Sequence, residues 1–197
     1  MGSIRSWAGW AAIAGAVGGV VYAIAFLVVG DVVFYSTVLM IGGLLTSLVV
    51  VVLADEVQAR APALAAWGRV LGVIGSLGSV AHGGYDLANA LNPPDPVTGL
   101  DTYPSAIDPR GLLTFGLVGL AFLVLGGLMA RAGFPGGLAR LGQLLGALLV
   151  VIYLGRLIIL DPDNAVVRAA LFAGVAVNTV FLSWLGSVWI RGPASPG

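Results

Sequence analysis

The sequence predicts an all-α integral membrane protein: six transmembrane helices in one compact bundle, with both termini on the cytoplasmic side. Three observations lead there. The chain of 197 residues is 59% hydrophobic and only 9% charged, with a mean hydropathy of +1.04, whereas an average soluble domain is about 25% charged. So few charges cannot cover a water-facing surface, so the solvent must be lipid. The apolar residues also fall into six runs, each near the ~20 residues that cross the hydrocarbon layer as helix. Finally, no run alternates with period two, which argues against a transmembrane barrel.

The helices are expected at about 7–29, 33–54, 66–91, 110–131, 137–160 and 165–190. The first run follows Arg5 as a secretion signal does. It is much longer than the roughly 7–15 apolar residues of a signal core, and no small-residue cleavage site follows it, so it reads as a retained helix. Gly30-Asp31 separates it from the second, and Asp55 through Pro62 separates the second from the third. The connection 92–109 holds five of the ten prolines and Asp95, Asp101 and Asp108. Proline fixes φ, so this segment is stiff enough either to cover the bundle as a lid or to serve as a plain connector. Asp108-Pro109 is a helix start, with Asp as cap and Pro in the first turn. Asp163 or Asn164 would cap the last helix in the same way. Residues 1–191 form a single domain, and 192–197 are expected to be a disordered tail.

Charge sets the orientation. With the N-terminus inside, six arginines (5, 60, 69, 131, 140 and 191) face the cytoplasm and three (110, 156 and 168) face outward, which satisfies the positive-inside rule. All five tryptophans, at 7, 10, 67, 184 and 189, then fall near the inner interface, where indoles anchor.

The stretch Gly126–Gly146, GGLMARAGFPGGLARLGQLLG, and the helix end SWLGSVWIRG resemble a bacterial six-helix integral membrane family of unknown function. The resemblance implies a six-helix fold of similar length and no particular activity, so no catalytic residue is carried over. Together with the absence of lysine and the Ala/Gly/Arg/Val bias, it implies residence in a bacterial cytoplasmic (inner) membrane as a multi-pass protein.

Several chemistries are disfavoured by composition. A net charge of zero without a basic patch argues against nucleic-acid binding. No cysteine means no thiol redox centre, iron–sulfur cluster or thiolate zinc site. No lysine means no Schiff base, and a single histidine without an HExxH pattern points to no metal. No cofactor is predicted.

The third helix carries the main polar cluster. His82 and Asp86 are four residues apart and share a face, with Ser79 and Asn89 along the same stripe and Tyr85 at its border. Ionisable groups inside a span face a partner or a water-filled cavity. Arg156, at matching depth on the fifth helix, is the natural partner for Asp86, with Arg168 and Arg110 as the other choices. The candidate ligand-binding set is His82, Tyr85, Asp86, Asn89, Tyr153 and Arg156, with Asp86–Arg156 as a structural ion pair. Ser79, His82 and Asp86 form a column on one helix rather than a hydrolase triad, since no turn presents the serine. Asn178 and Gln143 are expected to form interhelical hydrogen bonds.

The same helix has a face of small residues at 68, 72, 75, 76, 79 and 83, and Gly15/Gly19 and Gly142/Gly146 form GxxxG pairs. These faces predict close packing within the chain, with homo-oligomerisation as the alternative. The preferred function is an outward-facing polar pocket for a small or lipophilic ligand, in a sensor, binding module or accessory subunit. A transporter or channel, and a lipid-modifying membrane enzyme with His82 and Asp86 as acid–base groups, are the other readings. A sealed inner half would favour binding over transport.

Overall fold

The computed structural model describes residues 2–93, 110–158 and 164–192, with the side chains of residues 2, 3, 156 and 157 outside that description. Among the described residues there are only helices. α1 (Gly2–Ile24) runs into a π-helical turn (Ala25–Val29), followed by α2 (Val32–Val57) and α3 (Pro62–Leu91). A second π-helical turn (Leu112–Leu117) leads into α4 (Val118–Arg131), followed by α5 (Gly136–Ile158) and α6 (Ala165–Arg191). Among the described residues, six helices are long and apolar enough to cross a membrane, as a multi-pass membrane protein requires.

Several helices extend beyond their apolar runs because polar residues at their ends find partners. α2 continues through Asp55 and Glu56 since Asp55 pairs with Arg69 on α3 and Glu56 with Arg5 on α1. α3 starts four residues early, at Pro62, because proline suits the first helical turn. Asp31 caps α2 by accepting from the Phe34 amide at 2.9 Å. Asn164 caps α6 by accepting from the Val166 amide at 3.0 Å, as one of the two expected caps. Gly30 ends the first π turn at φ 71°, a conformation that suits glycine. The proline-rich segment 94–109, with its proposed lid and its Asp108-Pro109 helix start, and the tail 193–197 lie outside the described residues.

Each helix packs on its neighbours in sequence, and α1 closes against α6, so the six form a ring. Glycine makes these contacts close. The carbonyl oxygen of Gly9 lies 2.5 Å from where a Cβ on Gly186 would stand, and that of Ser36 lies 2.5 Å from the same point on Gly83. The small face of α3 is buried against α2 and α4, Gly15 and Gly19 face α6, and Gly142 and Gly146 face α6 and α4. All these faces are therefore used within the chain.

The packed core lies in the half of the ring that carries the chain termini. It includes Ala8–Ala16 on α1, Val49–Val57 on α2, Phe122–Met129 on α4 and Phe181–Trp189 on α6, with Phe122 and Phe181 edge to face at 5.4 Å. Burying these side chains closes that end. Trp189 belongs to the seal: it is 2% exposed, and its indole N–H donates to Glu56 at 2.9 Å. This corrects the expectation that it anchors at the interface. A hydrogen-bonded acid inside the bundle holds the ring inward, while Trp7, Trp10, Trp67 and Trp184 remain exposed.

Candidate functional site

The opposite half of the ring is less tightly filled and holds the polar cluster. α3 supplies His82, Tyr85 and Asp86. The segment leading into α4 supplies Arg110, just before the second π turn, and Thr114 within it. Gly75 and Gly78 on α3 let these two segments meet, because Cβ atoms there would strike the Leu113 carbonyl oxygen at 2.9 Å and the Leu113 side chain at 2.3 Å. The π turn over Leu112–Leu117 widens the backbone at this point. Such turns recur at functional sites because they re-aim side chains that a regular helix would place elsewhere. On its other side the turn is supported by Tyr153 of α5, whose ring lies 3.2 Å from where a Cβ on Gly116 would stand.

The Asp86 carboxylate is the hub. Arg110 Nη1 donates to Oδ1 at 2.6 Å, and His82 Nε2 lies 3.4 Å from Oδ2. The Arg110 guanidinium also sits 4.9 Å from the centroid of the Tyr85 ring, within cation–π range. The other His82 nitrogen, Nδ1, is 3.2 Å from Thr114 Oγ1. That hydroxyl has one proton and two acceptors in reach: the Arg110 carbonyl oxygen at 3.1 Å and, in a neutral His82, Nδ1 itself. The side chains of His82, Asp86 and Arg110 are 15%, 20% and 31% exposed. They are thus partly withdrawn from solvent, where an ion pair is stronger than on an open surface.

The structure brings together His82, Tyr85 and Asp86 of the expected set. Tyr153 braces the adjoining turn, and Asn89 has no hydrogen-bond partner among the described residues. The Arg156 side chain, and with it the expected Asp86–Arg156 pair, lies outside the described residues. The observed partner of Asp86 is Arg110, the last of the three choices. Thr114 was not expected at all. Its only sequence signal is a hydroxyl four residues after an arginine at the start of an apolar run. Ser79 takes no part in a triad, since its hydroxyl donates to the Gly75 carbonyl oxygen at 3.3 Å.

Below the cluster, toward the middle of the ring, lies a cavity of about 170 Å³. All six helices and the π turn before α4 contribute to its wall, and its polar side chains include Thr46, Ser79, Thr114 and Asn178. Thr114 therefore belongs both to the polar cluster and to the cavity wall. The expected interhelical bonds of Asn178 and Gln143 are not formed with any described residue. Gln143 lies exposed on the outer surface beside Gly127, and Asn178 faces the cavity.

At the other end, Arg5 Nε lies 2.9 Å from Glu56 Oε1. A cleft of about 700 Å³ adjoins this pair, lined also by Phe134, Pro135 and Arg191. Sequence reading took Glu56 for part of a polar break and missed this node.

Comparisons with models of protein families, with curated proteins and with solved structures find no match to this chain.

Proposed function

We propose that this chain is a ligand-binding protein of a bacterial inner membrane, with both termini inside and an outward-facing polar site that takes a small lipophilic molecule. One observation carries the reading. The linked set Arg110–Asp86–His82–Thr114 ends at the wall of a largely apolar cavity, so a charged and hydrogen-bonding surface is connected to an apolar space. Partly buried ion pairs are costly to maintain in a span and mark sites where polar groups are needed. In this arrangement Asp86 fixes the ring of His82, and Arg110 balances the Asp86 charge. Both ring nitrogens of His82 are thereby engaged, and the Thr114 hydroxyl on the cavity wall is the group of this set that meets a ligand atom, without an uncompensated charge.

Binding is favoured over transport because the terminal half of the ring is closed by Leu53, Leu125, Phe181, Leu185 and Trp189, each 2% exposed or less. Conduction needs polar groups through both halves, and this one is sealed by apolar side chains.

The test is the small-molecule content of the protein purified from native membranes in mild detergent, read by native mass spectrometry. A discrete adduct is expected on the wild type and its loss is expected in Thr114→Val and His82→Phe, with thermal midpoints nearly unchanged. Equal adducts on all three proteins would rule out the polar site as the binding determinant.

A further inference from the structure

The central cavity is continuous in its walls with a second cavity of about 160 Å³. Gly19, Tyr22, Phe115, Leu149 and Asn178 line both. The second cavity lies between the later turns of α1 and the early turns of α6. These helices touch backbone to backbone at Gly9 and Gly186, but at Gly19 it is the Asn178 amide that fills the interval. Beyond that point the space between them is the second cavity, bounded by Phe26 and Leu27, which are 42% and 47% exposed on the outside of the bundle. In a bilayer this chamber adjoins lipid rather than water.

Size and chemistry narrow the occupant. An apolar cavity of about 150 Å³ holds one benzene, so the central cavity has room for one six-membered ring and not for a two-chain lipid. Tyr22, Phe115 and Phe122 give it aromatic walls, which stack on or meet a ring edge-on. No charged residue lines either cavity, so the occupant is neutral. Asn178 has no hydrogen-bond partner among the described residues, and an amide left unpaired in an apolar setting is costly. Its N–H groups call for an acceptor oxygen. Across the ring, the Thr114 hydroxyl lines the same cavity, and its one proton reaches a ligand oxygen by turning away from the Arg110 carbonyl oxygen at 3.1 Å.

We propose that the central cavity binds a lipid-soluble quinone. The ring lies between Thr114 and Asn178, one carbonyl oxygen accepts from each, and the apolar tail leaves through the second cavity into the bilayer between α1 and α6. This rests on the polar-site reading for the Thr114 end of the ring and adds the ligand class, the Asn178 anchor and the lateral exit. It is an inference of binding alone.

The test titrates decylubiquinone into the detergent-purified full chain, with decylbenzene, which has the same tail and no oxygen, as control. One-to-one occupancy is read by native mass spectrometry and the thermal midpoint is recorded in parallel. Saturable binding of the quinone is expected, with decylbenzene weaker by about tenfold or more, as loss of hydrogen bonds to otherwise unpaired partners implies. Asn178→Leu is expected to weaken quinone binding by about tenfold on the same grounds. Gly42→Leu is expected to abolish it. Gly42 lines the central cavity, and a Cβ there meets nothing within 4 Å, so the added side chain fills the cavity without a clash and gives a folded control if Asn178→Leu misfolds. The proposal is overturned if decylbenzene binds as tightly as the quinone, or if quinone binding survives Gly42→Leu. Binding lost in Asn178→Leu and Gly42→Leu but intact in His82→Phe upholds the cavity site and overturns the polar-site reading instead.

Discussion

Replacing Asp86 by Asn tests the hub of the polar cluster. The substitution keeps the shape of the side chain and removes its charge, taking away the carboxylate oxygen that Arg110 Nη1 meets at 2.6 Å. Breaking a fully buried pair costs about 3–5 kcal/mol, and an exposed pair is worth about 0–1 kcal/mol. With side chains 20% and 31% exposed, this pair falls between the two, at about 2 kcal/mol. For a chain of this size each kcal/mol moves the thermal midpoint by about 2–4 °C, so a fall of about 4–8 °C is expected in detergent. Arg110→Gln should cost about as much. The double variant should cost clearly less than the sum of the two, because its second change removes a contact already broken by the first. The assay is a double-mutant cycle on midpoints followed by circular dichroism. Additive losses, with coupling below about 0.5 kcal/mol, would refute the claim that Arg110 and Asp86 stabilise each other. A parallel cycle with Arg156→Gln measures whether the partner suggested by the sequence shares the same carboxylate.

Three further outcomes follow. Glu56→Ala should lower the midpoint by the equivalent of about 2 kcal/mol, since it strands Arg5 and removes the acceptor of the Trp189 indole, whereas Trp189→Phe should cost less because the Arg5 pair survives. Gly146→Ala should destabilise, because its Cβ would lie 2.6 Å from the Gly119 carbonyl oxygen and the Leu123 amide nitrogen; Gly42→Ala, into open space, should leave the midpoint unchanged or raise it by the equivalent of up to about 1 kcal/mol. Because the chain has no cysteine, single cysteines at Thr98 and Asn164 should react with an impermeant thiol reagent in intact cells while one at Gly136 stays protected, and the reverse pattern would overturn the N-in orientation.

The helices were legible because their signal is long and one-dimensional: six apolar runs, with Asn164 at a cap position and glycines at the closest contacts. The depth of Asp86 along α3 was legible for the same reason. Which arginine meets it was not, since that depends on the rotation of each helix about its axis. The π turn over Leu112–Leu117 changes the rotation of Arg110 relative to Thr114, and no periodicity in the sequence announces it. Glu56 was hidden differently. As the chain's one glutamate next to Asp55 it reads as a solvated helix end, and only the closing of α1 and α6 around it brings Arg5 and the Trp189 indole within reach. Asn178 was visible as a mid-span polar residue, but whether it meets a helix or a cavity depends on how far α1 and α6 stand apart.

What occupies the middle of the ring decides between a binding site and a packed core. A density map of the protein purified from its native membrane tests this most directly. Ring-sized density is expected between Thr114 and Asn178, continuing as a thin tail past Phe115 toward the space between α1 and α6. A cavity closed by repacked side chains, with Asn178 bonded to a neighbouring helix, would contradict it.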